Sequence, residues 1–134
     1  MSRTYISVEL RQIVNERADG LCEYCLVHQD DVFFPHEMDH IIAEQHGGKT
    51  ISDNLALACL DCNKQKGPNI ASIDPETNEL VRLFNPRKDE WDDHFLFQGV
   101  EIKAKTAVGR VTIQILQLNN HYRLKQRQAI REAH

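Results

Sequence analysis

Two Cys-x-x-Cys pairs, Cys22/Cys25 and Cys59/Cys62, hold all four cysteines of this 134-residue chain, with 33 residues between the pairs. A two-residue spacer lets both sulfurs of one turn reach the same ion, and two such knuckles close a tetrahedral site. The opening MSRTYISVELRQIV has no uninterrupted apolar stretch after Arg3, and no later apolar run approaches the roughly 18 residues of a spanning helix. A cytoplasmic location without a membrane is therefore expected, with thiolate chemistry in place of disulfides. Nothing after Cys22-Glu23-Tyr24-Cys25 reads as the βαβ context of a redox pair. Cys22, Cys25, Cys59 and Cys62 are accordingly expected to hold a structural Zn2+. The interval between the pairs exceeds that of a zinc ribbon, so the intervening chain is an insertion with a structure of its own.

The length and a 41% hydrophobic content suit one compact unit. We expect a single domain over 1–134, with a core at about 20–70, an N-terminal helix at 8–18 and a C-terminal extension at 71–134. Ser7 can cap a helix in which Leu10, Ile13, Val14 and Ala18 recur at helical spacing, and Gly20 is placed to end it. Val32-Phe33-Phe34 and then Met38 to Ile42 are rich in strand formers, so Asp39 and His40 fall on or beside a strand. Glu44–Asp53 reads as a loop, Leu55–Ala58 as a strand, and the segment after it as a short helix stopped by Gly67-Pro68. Asp74–Asn78 is a turn signal, while the acidic stretch Asp89–Asp93 around Trp91 reads as surface decoration. Over 106–118 both periods are present, and the length favours a helix.

A net charge of −4 is unfavourable for phosphate binding, but the charge is unevenly spread. Residues 1–100 carry 9 basic and 18 acidic side chains, and residues 101–134 carry 7 basic and 2 acidic. Arg123, Lys125, Arg127 and Arg131, with Tyr122 among them, fall in a terminal helix that could track a nucleic-acid backbone or simply be solvated.

Between the cysteine pairs stand Asp39-His40-Ile41-Ile42, His46-Gly47-Gly48 and Asn54-Leu55, followed by Cys59-Leu60-Asp61-Cys62-Asn63 and Lys66. From about Cys22 to Gly67 this string resembles the HNH endonuclease family. The resemblance implies an α+β fold built on a ββα-metal (HNH, or His-Me finger) core with an embedded four-cysteine zinc site and flanking helices. It implies hydrolysis of DNA phosphodiester bonds, leaving 5′-phosphate and 3′-hydroxyl ends, with His40 as the general base that activates water. Asn54 would hold the strand carrying His40, and Asp39 with Asn63 would hold the catalytic cation. The third letter of the motif is Asn63 where many members have His, and an amide oxygen suits a hard cation, so Mg2+ or Mn2+ is expected. His46, Lys49, Lys64 and Lys66 lie where phosphates would approach, joined by Arg123 and Arg127 at the far end.

Each reading has a plainer rival. His40 could be a structural histidine, Asn54 a turn residue, and the lysines solvated surface charge. For the whole chain the rivals are a zinc-stabilised nucleic-acid-binding module that has lost activity, and a protein-interaction domain using the acidic patch around Trp91.

Overall fold

Ser7 starts the first helix, α1 (Val8–Ala18), by accepting the Leu10 N–H on its Oγ at 3.1 Å, and Asp19 ends it in the left-handed region. The structure is a computed structural model describing residues 5–134; Arg3, part of the N-terminal reading, lies outside the described residues. Val14 and Ala18 turn inward from α1 and pack with Leu55 and Leu57. The chain then runs through the first cysteine knuckle, closed by the Cys22 N–H donating to Val27 O at 2.9 Å.

Strands β1 (Glu37–His40) and β2 (Leu55–Ala58) pair antiparallel, with Asp39 opposite Ala56 and His40 opposite Leu55. All of β2 is buried because its alternating faces meet two clusters. Leu55 and Leu57 face α1, whereas Ala56 and Ala58 join the larger cluster around Tyr24, Phe84, Phe95 and the cysteines. Helix α2 (Leu60–Lys66) follows at once, with Cys59 as its N-cap accepting the Cys62 N–H at 3.4 Å and Gly67 ending it at a φ of 51°. These three elements form the expected ββα unit, beside the cysteine group.

The expected strand at Val32–Phe34 does not form; the segment is bent, and Phe33 is 94% exposed. Its would-be partner has run out, since β2 stops at Ala58 opposite Glu37 and Cys59 already caps α2. Pro35 also removes a ladder donor.

Beyond α2 come two hairpins, β3 (Ala71–Ile73) with β4 (Leu80–Arg82) and β5 (Phe95–Gln98) with β6 (Glu101–Ala104). A short helix, α3 (Trp91–His94), precedes β5, and α4 (Ala107–Leu116) and α5 (His121–Ala133) complete the chain. Buried Val111, Thr112 and Leu116 seat α4 on the core, where Thr112 Oγ1 accepts the Phe84 N–H at 2.9 Å. Trp91 is not decoration, contrary to the sequence reading. Its ring packs on Phe95 and Phe97 at 5.1 and 5.3 Å, and its indole N–H donates to Tyr24 O at 2.9 Å, tying the extension to the cysteine knuckle.

Asp74 organises the β3–β4 turn. Its carboxylate accepts from Arg110 Nε at 2.9 Å and Nη2 at 2.8 Å, Thr77 Oγ1 at 2.9 Å and the Glu76 N–H at 3.2 Å. The Arg110 hydrogen bonds foremost hold this carboxyl well below the usual carboxylate range. A depressed acid stabilises the fold fully above its unfolded value of about 4 and loses that contribution as pH falls toward its folded value. Asp74→Asn should therefore lower the melting temperature at neutral pH, with the gap to wild type narrowing progressively as pH falls below about 4. Thermal melts across pH check this, and a gap of constant size would contradict it.

Candidate functional site

The knuckle after α1 supplies Cys22 and Cys25, and the start of α2 supplies Cys59 and Cys62. Their four sulfurs lie within 4.8 Å of one another, all are buried, and Cys25 Sγ is 3.7 Å from Cys59 Sγ. Sulfurs at the corners of a tetrahedron with 2.3 Å metal bonds stand about 3.8 Å apart. The observed separation thus fits a shared ion, and the four thiols are free of disulfides. Among the described residues no other group of three His, Cys, Asp or Glu side chains is close enough to share an ion.

Arg123 reaches into this group from α5. It is 1% exposed, with Nη2 at 3.1 Å from Cys62 Sγ and 3.8 Å from Cys59 Sγ, and Nη1 donating to Leu116 O at 3.3 Å. Arg127, one turn on, is also buried and donates to Val100 O at 2.6 Å, Leu118 O at 2.7 Å and Asn119 Oδ1 at 2.9 Å. Both findings correct the expectation of a backbone-tracking arm. Positions 123, 127 and 130 lie on the α5 face that packs on the core, where sulfurs and carbonyls satisfy the guanidinium donors. Lys125 and Arg131 remain exposed on that helix.

Around His40 the loop is tightly held. Asn54 Oδ1 accepts the Ile42 N–H, and its Nδ2 donates to Ile42 O and Lys49 O, each at 2.9 Å. The backbone adds a fourth tie, Ile41 N–H to Asn54 O at 2.9 Å. Gly48 passes so close that a Cβ there would sit 1.7 Å from Ile42 O, which requires glycine. His40 is half-buried, and its Nε2 lies 2.9 Å from Thr50 Oγ1, so the same loop orients the ring. His46, Lys49 and Lys64 are exposed.

On the other face of β1, Asp39 is 3% exposed, accepting the Tyr24 hydroxyl at 2.6 Å and Lys66 Nζ at 3.2 Å. Lys66 also donates to His40 O at 3.0 Å and is 1% exposed. That corrects its assignment as a phosphate contact, because α2 turns the ammonium inward onto a buried carboxylate. Burial raises the Asp39 carboxyl, and the Lys66 charge with the Tyr24 hydrogen bond offsets only part of that. Asn63, also on α2, donates Nδ2 to Glu37 Oε1 at 2.8 Å. Glu37 was missed by the sequence reading, although the two-residue strand period places it on the face of Asp39. In the seam between β1 and α2, Lys66 engages Asp39 and Glu37 engages Asn63.

Removing one partner of a buried ion pair leaves an uncompensated charge. Lys66→Met should therefore destabilise by about 3–5 kcal/mol. Asp39→Asn in the same chain should restore much of that loss, read by denaturant unfolding. A cost below about 1 kcal/mol for Lys66→Met, the worth of an exposed pair, would contradict the burial argument.

Residues 22–69 match the HNH endonuclease family model. Septu protein PtuB of Bacillus thuringiensis is 25% identical over 124 residues, which cover 91% of this chain and 44% of that protein. The chain thus spans less than half the length of this curated relative. No solved structure matches. The matched segment contains both knuckles, β1, β2 and α2, with His40, Asn54 and Asn63. Family match, cysteine spacing and ββα order thus agree over the stretch from Cys22 to Asn69, which is similar to the HNH endonuclease family.

Proposed function

We propose that this chain is a metal-dependent endonuclease that hydrolyses DNA phosphodiester bonds, with His40 as general base. The observation that carries the reading is a half-exposed imidazole held by Thr50 on one side of an Asn54-clamped loop, within an HNH segment. In the tautomer whose Nε2–H donates to Thr50 Oγ1, Nδ1 keeps the lone pair that would take a proton from the attacking water. Asn54 is a positioning residue: it fixes the loop that carries Thr50, and so the direction of the ring.

The four cysteines hold structural zinc, the ion that a closed, buried thiolate set suits best. A catalytic cation is a separate matter. Mg2+ or Mn2+ prefers oxygen donors such as those of Asp39, Asn63 and the neighbouring Glu37 in the β1–α2 seam, but both Asp39 oxygens are engaged, Oδ2 by Tyr24 and Oδ1 by Lys66, so an ion there would have to take the place of the Lys66 ammonium. Asp39 and Asn63 would hold the ion, which would offset charge on the phosphate and the departing 3′ oxygen. Exposed His46, Lys49 and Lys64 would meet flanking phosphates.

Cleavage of supercoiled plasmid by purified protein with Mg2+, Mn2+ or EDTA tests the reading. Nicking with either ion, absent in EDTA and lost in His40→Ala, is the expected result. A folded, zinc-loaded protein that cuts with no ion would refute it.

A further inference from the structure

Arg123 lies outside the family segment, yet it is the largest of the fully buried side chains. Its hydrogen-bond partners are a carbonyl, Leu116 O, and the sulfurs of Cys59 and Cys62, none of them a carboxylate. A guanidinium withdrawn from water needs an anion, because an unpaired buried charge costs several kcal/mol. Four neutral thiols do not provide one. Four thiolates around a divalent ion carry a net charge of −2 and do.

We propose that Arg123 is the counter-charge of the four-cysteine metal centre, a positioning residue that slows loss of the ion and makes docking of α5 depend on it. The proposal rests on the zinc reading of the cysteines. A charge-assisted N–H bond to a ligand sulfur offsets the charge of the thiolate set and holds that ligand in place, so it is less readily displaced from the ion. The coupling is reciprocal. If the ion strengthens Arg123, Arg123 must strengthen the ion, and removing either loosens the other. Arg127 reinforces the docking through carbonyls at Val100 and Leu118 but carries no sulfur bond of its own.

The test measures zinc transfer from the full, zinc-loaded chain to a chromophoric chelator, together with the charge-transfer spectrum of the cobalt(II)-substituted protein. Wild type is compared with Arg123→Met, Arg123→Lys and Ile130→Ala. Ile130 packs α5 against the same core and shows no bond to sulfur, so its variant loosens the helix alone. Arg123→Met should release zinc about 10–100-fold faster, the usual cost of losing an outer partner of a metal ligand. It should also shift the cobalt–thiolate bands. Arg123→Lys, which keeps the charge without the planar fork, should fall between Met and wild type, and it carries the test if the Met variant does not fold. Ile130→Ala should leave the cobalt bands unchanged.

Wild-type release and unshifted bands in Arg123→Met would overturn the proposal. So would equal release and equal spectra in Arg123→Met and Ile130→Ala, which would reduce Arg123 to packing. A wild-type chain that binds neither zinc nor cobalt at the cysteines would instead sink the underlying zinc reading.

Discussion

Stripping zinc from the four-cysteine site should abolish the cooperative melting transition of this chain. Cys22, Cys25, Cys59 and Cys62 sit inside the main hydrophobic cluster with Tyr24, Leu83, Phe84 and Phe95. Losing the ion therefore loosens the middle of the core. Structural zinc binding contributes on the order of 10 kcal/mol or more, comparable with the whole stability of an ordinary domain at about 5–15 kcal/mol. Thermal melts before and after chelation, and of Cys25→Ser, read the effect. Trp91 is a built-in reporter, since its indole N–H is bonded to Tyr24 O between Cys22 and Cys25. An unchanged transition after verified removal of the metal would show that packing alone holds the knuckles together.

The second large effect is confined to activity. His40→Ala should lower the cleavage rate about 10²–10⁴-fold, the usual contribution of a positioned general base, with little change in melting temperature. The separation of the two readouts follows from the contacts. The side chain of His40 is half-exposed and bonded to Thr50, while the bond that matters to the buried Asp39–Lys66 pair is accepted by the His40 carbonyl, which alanine keeps. Plasmid nicking under the metal giving the fastest wild-type rate, alongside a melt of the same sample, measures both. A variant that cuts within about threefold of wild type, well short of the usual general-base effect, would remove His40 from the chemistry.

What could be read directly in the sequence was local. The strand formers at Met38–Ile42, the strand at Leu55–Ala58 and the short helix stopped by Gly67-Pro68 follow from local composition, whereas their assembly into a ββα unit with its loop closed by Asn54 was legible only through the family resemblance. The small hairpins left weaker traces. β3 and β4 are three residues each, too short to show an alternation, and Phe95-Leu96-Phe97 is apolar on both faces. The inward charges were harder still. Lys66, Arg123 and Arg127 look like surface residues on charge alone, and each has a partner far along the chain, 27, 61 and 27 positions away. Only the i, i+4, i+7 spacing of Arg123, Arg127 and Ile130 hints that two arginines share a face with a core isoleucine. Asp39 shows the same lesson at the site. Its neighbour in sequence is His40, but its partners in space are Tyr24 and Lys66.

The contact between α5 and the cysteines also sets an order of events at the ribosome. Both knuckles are complete once Cys62 is made, but Arg123 is added 61 residues later. At about 5–20 residues per second the interval is roughly 3–12 s. A nascent chain can therefore gather its four cysteines while Cys59 and Cys62 still lack the guanidinium that contacts them in the finished fold.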